Sequence, residues 1–323
     1  MTILNWVKLS GDYGAMIKGV DAQVHMVFND NKDLGEKKYT KYLNVTSADG
    51  ARLNIKNVSG AWMLKPVLEN GKLQELNTYL GNETSYIFKK FGWVITITQE
   101  AIEDNEFATE IDAVKSLATS YEVTKETHAA ELLRTGWDTT SSSDFPISKP
   151  TGVPRLFSIA HTLANGDTYS NTLANSAPLS ADSVKDMKKM LMEVKWDDGK
   201  VLRSTGKFAL IVSPANEDLA MRIVNSDLRQ GTNNNDINTL KWIEVIVEPQ
   251  LSSAFGWNDT QYFLVDKWMN RLRLVDRKKA ELQTDVDFYT KNLLASVDAR
   301  WAVGFDDARW VIGSKWDGST ISV

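Results

Sequence analysis

Few residues in this chain are spaced for chemistry. There are three histidines, His25, His128 and His161, and no cysteine. Disulfides, thiolate nucleophiles and thiolate metal sites are therefore excluded. No H-E-x-x-H or related spacing supplies a zinc ligand set. No G-x-S-x-G elbow and no G-x-x-x-x-G-K-[ST] phosphate loop is present, and Gly11-Asp12-Tyr13-Gly14 reads as a turn. Ser158, His161 and Asp167 have the residue types of a hydrolytic triad. A triad is set by three-dimensional geometry, which nearness in sequence does not supply. Glu100, Glu103 and Asp104 offer paired carboxylates, but acidic groups at a helix start complement the macrodipole and explain the cluster more simply. Asn29, Asn31 and Asp33 alternate faintly like a calcium loop, yet Lys32 interrupts them and neither the sixth-position Gly nor the twelfth-position Glu follows. His128 falls on an apolar helical face and reads as a packed side chain. Arg271, Arg273, Arg277, Lys278 and Lys279 run with Leu272 and Leu274, either toward phosphate or as the charged face of a strand at a subunit contact. No catalytic, cofactor-binding or metal-binding residue is assigned, and no cofactor is expected.

Composition narrows the class further. The 323 residues are 42% hydrophobic and 24% charged, with a formal net charge of −5. Such a chain has material for a sizeable core and lacks the basic footprint of a free-standing nucleic-acid binder. Eleven Trp and eleven Phe serve cores but also dominate protein–protein contacts. Met1 to Val20 shows no basic region followed by an apolar run, and no stretch approaches a membrane span. Residue 2 is Thr and the sequence ends Ile321-Ser322-Val323, so no lipidation signal is read.

The elements that would position any site follow from periodicity. Residues 1–37 are turn-rich and read as an arm with little structure of its own. From 38 to 98, Tyr39 to Val45, Arg52 to Val58, Trp62 to Leu68 and Leu73 to Leu80 are short β-like runs divided by Asp49-Gly50, Ser59-Gly60 and Asn70-Gly71. Phe91, Trp93, Ile95 and Ile97 alternate as a further strand. The many lysines among these runs suit a protruding ribbon better than a packed sandwich. From Ile102 to Arg134, apolar positions recur every three, four or seven residues, which is one face of a long helix. Gly136 stands where a helix C-terminus favours glycine. Residues 138–178 read as a long loop. Ser180 caps a predicted helix carrying Val184, Met187, Leu191 and Val194. Asp198-Gly199 is a turn, Phe208 to Val212 a buried strand, and Ser213-Pro214 a helix start. A polar loop spans Ser226 to Thr239, and Trp242 to Val247 and Tyr262 to Val265 are two more strands. Long strands are expected from Trp268 onward.

This order of parts resembles the major capsid proteins of tailed bacteriophages. Three stretches carry the resemblance, most closely to Mu-type head subunits: Ile95-Thr96-Ile97-Thr98-Gln99-Glu100-Ala101-Ile102-Glu103-Asp104-Asn105; Leu156-Phe157-Ser158-Ile159-Ala160-His161 with Ser170-Asn171 and Pro178-Leu179-Ser180; and Leu210-Ile211-Val212-Ser213-Pro214, Leu219-Ala220 and Glu244-Val245-Ile246-Val247-Glu248-Pro249-Gln250-Leu251. The resemblance implies an α+β, Hong Kong 97-type capsid fold. Its parts would be an N-terminal arm (1–37), an extended β-hairpin loop (38–98), a peripheral domain with a spine helix at about 102–134 (99–169), an axial domain (170–265) and return strands of the peripheral domain (266–323). It implies no enzyme but a subunit that self-assembles, as hexamers and pentamers, into an icosahedral shell around double-stranded DNA without sequence-specific binding. A separate scaffolding protein is implied if one is used, since 37 residues before the ribbon are few for a cleaved scaffold, and portal and decoration proteins are possible partners. No membrane is involved; the location is the virion, with assembly in the bacterial host cytoplasm. Lys56 and Lys65 lie in the ribbon, but crosslinking is not expected, because no partner Asn or assisting Glu is identified. An encapsulin-like compartment shell is the nearest alternative, and a hydrolase using His161 or the acidic helix start is the alternative of another class.

Overall fold

The computed structural model describes residues 13–32, 37–59, 66–67, 69, 71–73, 79–163, 165–173, 177–197, 201, 204, 206–228 and 237–315. In chain order the elements are α1 (Tyr13–Asn31), β1 (Asn44–Ser47), β2 (Arg52–Ser59), β3 (Tyr79–Ile87), β4 (Lys89–Ile97), α2 (Gln99–Asp104), α3 (Ala108–Arg134), β5 (Ile147–Ser148), β6 (His161–Thr162), β7 (Thr168–Tyr169), α4 (Ala181–Met192), β8 (Phe208–Val212), α5 (Glu217–Asn225), β9 (Glu244–Val247), β10 (Tyr262–Asp266), β11 (Leu272–Val286), β12 (Leu293–Phe305) and β13 (Val311–Ser314). They form two compact units. The first comprises Met1–Lys37, Phe88–Lys125 and Asp276–Trp301; the second comprises Lys38–Ile87, Glu126–Val275 and Ala302–Val323. One sheet has the strand order β1-β11-β12-β4, with β5 beside β12; a second has the order β13-β10-β8-β9.

In the first unit β4 pairs antiparallel with β12, from Lys89 opposite Trp301 to Ile97 opposite Leu293. Strand alternation aims Ile97, Leu293, Ala295 and Val297 at one core, where they meet Ile111, Val114, Leu117 and Ala118 of α3. Phe91 stacks on Trp301 at 4.1 Å, and Tyr121 meets the same indole edge-on. Lys125 is buried in this aromatic corner and is neutralised by Asp276 at 2.7 Å.

Helix α1 corrects one expectation. Residues 13–31 are not an arm without structure: Val20, Val24 and Phe28, spaced by four, bury one stripe against Ile97, Ile102, Phe107 and Ile111. Each such side chain contributes about 1.5–3 kcal/mol by leaving water. Asp21 accepts a hydrogen bond from Thr284 Oγ1 at 2.5 Å, and the Tyr13 hydroxyl donates to the Lys291 carbonyl at 2.5 Å. The long helix also starts later than expected, at Ala108 rather than about 102. Thr98 caps α2 by accepting from the Ala101 N–H, and Asn105 then turns left-handed at φ 60° and ends it. Asn tolerates that conformation because its short polar side chain is easily satisfied there.

In the second unit β10 runs antiparallel to β8 and β13, while β8 and β9 are parallel. Helices α4 and α5 cover one face, packing Val184, Met187, Leu191, Ala220, Ile223 and Val224 on Phe208, Leu210, Val212, Tyr262, Leu264 and Ile312. Ser180 caps α4 as expected, accepting from the Ser183 N–H at 3.1 Å while Ser183 Oγ accepts from the Ser180 N–H. Ser213 does not cap. Its hydroxyl donates to the Asp259 carbonyl, and a 3-10 turn at Pro214–Asn216 precedes α5. On the other face Phe263 meets Trp137 and Phe157. Gly136 is glycine for this cluster rather than for a left-handed cap: an added Cβ would lie 2.4 Å from the Phe157 ring.

Two segment boundaries shift accordingly. Among the described residues of 38–98, β2 and β3 pair as a ribbon; β1 borders β11 and β4 borders β12, and Tyr39 begins no strand but sits in a 3-10 turn, Lys38–Lys41. The expected runs around Trp62 and Leu73 fall largely outside the described residues, as do Asp198-Gly199 and the centre of the 226–239 loop. The tail does not return as one piece, because β13 pairs with β10 in the second sheet. Substituting Gly136→Ala lowers unfolding free energy by about 1–3 kcal/mol in urea titration, through overpacking against Phe157; adding Phe157→Leu recovers part of that loss.

Candidate assembly surface: the ribbon and its root

The β2–β3 ribbon pairs from Arg52 opposite Ile87 to Ser59 opposite Tyr79, with a register shift between Lys56 and Val58. The bulge lies on β3, where Gly81 and Asn82 together oppose one residue of β2, Asn57. Its side chain is turned to the body of the subunit, where Nδ2 donates to the Asp306 carbonyl at 2.7 Å. Gly81 is part of the bulge, and a Cβ there would come within 3.0 Å of the Asn57 carbonyl oxygen.

Asp306 then holds the ribbon from beneath. Its carboxylate accepts from the Tyr86 hydroxyl at 2.7 Å through Oδ1 and from Arg273 Nε through Oδ2. Tyr86 and Asp306 are buried, and burial together with the adjacent carboxylate pushes the phenol far above its ordinary range. Tyr86 therefore remains a protonated donor at any working pH. Thr84 Oγ1 donates to the Phe305 carbonyl, and the Glu83 carbonyl accepts from both the N–H and the hydroxyl of Thr151. Opposite this fastened face, Arg52, Ser85 and Ile87 are exposed, and Lys56 reaches only the ribbon's own Glu83 at 3.3 Å. Beside the root lies a cavity of about 520 Å³, lined by Asn57, Asn82, Arg155, His161, Tyr169 and Asp307 among others. Its deepest cation, Arg309, is neutralised by Asp197 and Asp307, each at 3.1 Å.

The residues considered for catalysis are not brought together. His161 Nε2 meets the Leu156 carbonyl and Asn171 Oδ1, and its ring stacks on Tyr169. Burial holds its pKa below the ordinary value, so it is a neutral, packed side chain. Ser158 Oγ accepts from the Ala160 N–H, and Asp167 is bonded to Asn165 in its own turn. His128 is buried with Nε2 at 3.1 Å from the Pro146 carbonyl, and His25 lies 3.5 Å from Asp21 on α1. Asn31 bonds back to Val27 within α1, Lys32 bonds to Asn29, and Asp33 lies outside the described residues. Glu100 and Glu103 belong to the short α2, where Glu103 accepts from Gln99. Of the basic run, Arg273 binds Asp306, Lys278 binds Asp298, and Arg277 lies over Phe88. Among the described residues no three His, Asp or Glu side chains are grouped to hold a metal ion.

What the surface does present is aromatic. Trp93 is 73% exposed, Trp242 88% and Tyr289 90%, with Phe288 and Trp268 also open. Large side chains left bare in this number mark protein contacts. Residues 81–313 match the profile of a family described as phage capsid protein. The chain belongs to that capsid family. No curated protein sequence matches it. Among solved structures, the capsid of Cyanophage P-SCSP1u is similar with a TM-score of 0.53 at 10% identity, covering 85% of this chain and 86% of that one. The capsid of a native GTA particle is similar with a TM-score of 0.52 at 12% identity, covering 87% and 90%. A structure from Mycobacterium phage Patience is similar with a TM-score of 0.50 at 10% identity, covering 98% and 95%.

The capsid subunit has the Hong Kong 97-type fold, in which helix and sheet are mixed as the sequence led one to expect. It is a major capsid protein, a structural component of the virion that associates with itself into the shell of a phage head, and not an enzyme. No motif in the sequence marks Asp306 as an anchor. Its one signal is an acidic pair, Asp306-Asp307, directly after the apolar run Trp301 to Phe305. In the capsid subunit, Asp306→Ala leaves the buried Tyr86 and the half-buried Arg273 without their acceptor and lowers stability by about 3–5 kcal/mol. Tyr86→Phe keeps the ion pair and costs about 1–2 kcal/mol. Urea unfolding of both variants measures the difference.

Proposed function

We propose that this capsid subunit builds the shell by laying its ribbon across a neighbouring copy. The observation that supports the reading is a ribbon fastened on one face only: Thr84 and Tyr86 are buried at the root, while Ser85 and Ile87 on the alternate face are exposed. A two-stranded ribbon is marginal alone in water. Its open face gains cover, without a new core, from an adjacent subunit. Contacts of this head-to-tail kind close into rings and shells when the rotation between copies closes.

The finer assignments belong to the same reading. Residues 1–37 act as the N-terminal arm, with α1 docked on its own unit, and 170–265 as the axial domain that gathers copies into pentamers and hexamers. The shell encloses double-stranded DNA held by its walls and not by sequence. A net charge of −5 suits a wall that does not trap phosphate. A portal and, where one is used, a separate scaffolding protein would join the assembly, which takes place in the host cytoplasm.

Ser59 and Tyr79 are direct partners, so residues 60–78 can be replaced by an Asn-Gly turn without disturbing the root. The shortened subunit is expected to fold, with near-normal circular dichroism and thermal midpoint, and to remain unassembled in sedimentation and negative-stain microscopy. Shells of normal size and yield from it would refute the ribbon's role.

A further inference from the structure

The segment leading into the ribbon is held by a second buried carboxyl, separate from the root. Tyr42 follows the turn Lys38–Lys41 and precedes β1. It is buried, and its hydroxyl donates to Glu248 Oε2 at 3.2 Å. Glu248 is itself 0% exposed, between β9 and the turn Pro249–Leu251. Its other oxygen faces the Gln250 N–H at 3.4 Å, a long bond. The backbone of the segment is gripped by neutral partners: Asn270 Nδ2 donates to the Tyr42 carbonyl and Asn44 Nδ2 to the Asn270 carbonyl, both at 2.7 Å. Glu248 is the fully buried carboxyl of this set.

The titratable and charged groups facing Glu248 are Tyr42 and Lys38 from the segment and Glu126 from α3. Glu126 Oε1 accepts from the Lys38 N–H at 3.2 Å. Burial pushes the Glu248 carboxyl up to about 7; the Gln250 N–H opposes this, the Glu126 charge adds to it, and Tyr42 and Lys38 lower it. A carboxyl in this place is neutral when the segment is seated and gains water when the segment leaves.

We propose that Glu248 and Tyr42 form a proton-controlled latch on residues 38–47, seated when the carboxyl is neutral and released when it is ionised. Below an ordinary carboxyl pKa both states hold the proton, so the seated state carries no penalty. As pH rises toward about 7 the released state has lost its proton and the seated state has not, so the seated state is progressively disfavoured. Above about 7 both are ionised and the penalty is constant. Between pH 5 and 8 the release equilibrium rises on the order of 70-fold. The latch stands on the fold of one subunit and does not depend on where the ribbon lies in a shell.

Amide hydrogen exchange on the full-length chain, corrected for intrinsic rates, reads the opening of residues 42–47 from pH 5 to 8. The expected result is a rise of about 50- to 100-fold in the wild type, no comparable rise in β8, and a flat profile in Glu248→Gln. Infrared difference spectra of the wild type provide a reading that needs no variant: a protonated-carboxyl band disappears as pH passes about 7. A wild-type segment equally closed at pH 5 and 8, a Glu248→Gln variant that keeps the slope, or no carboxyl titrating near neutrality would each overturn the latch.

Discussion

A two-stranded ribbon cannot bury both of its faces, and the architecture depends on how that deficit is handled. One face is fastened to its own subunit through Asp306, which takes the Tyr86 hydroxyl on one oxygen and the Arg273 guanidinium on the other. The Asn57 amide adds a bond to the same residue's backbone. A buried carboxylate is stable there only because each partner is a donor and one is a cation. The arrangement fixes the direction of the ribbon before any neighbour arrives. Under the proposed docking on a neighbour, an ordered ribbon loses less entropy than a free one.

The same economy explains why side chains suited to catalysis perform none. His161 is stacked on Tyr169 and bonded to Asn171 and a carbonyl. Arg309 is neutralised by two carboxylates, and Lys125 by Asp276. In each case the polar group is paired inside the fold, as buried polar groups must be to avoid their desolvation cost. The large side chains that lack cover are instead hydrophobic, with Trp93, Trp242 and Tyr289 among the most open. Chemistry is spent on holding a shape, and apolar area is left for other copies.

Parts of this were legible in the sequence. The run Phe208 to Val212 announced a fully buried strand, because only a strand covered on both faces is apolar at every position. Ser180 announced the start of α4 through its capping spacing. The alternation of Phe91, Ile95 and Ile97 announced β4. Helix α1 was legible too but was missed: Val20, Val24 and Phe28 carry the helical period, while the neighbouring Gly and Asn residues suggested turns. The break at Asn105 was not legible, since the apolar period continues through it with Ile102 and Phe107 on one core. That Phe157 approaches Gly136, and that Trp137 and Phe157 both approach Gly313, follows from tertiary packing alone.

By itself the sequence determined the local elements, the absence of thiol chemistry, and the order of parts that placed the chain among capsid proteins. Those properties are local: period, cap and composition act over a few residues. Only the tertiary structure decided that β13 joins β10, that Asp306 rather than any histidine is the critical polar residue, and that Glu248 is buried against Tyr42 some two hundred positions away. Burial sets what a charged group costs and what its proton does, and burial is a property of how distant segments meet.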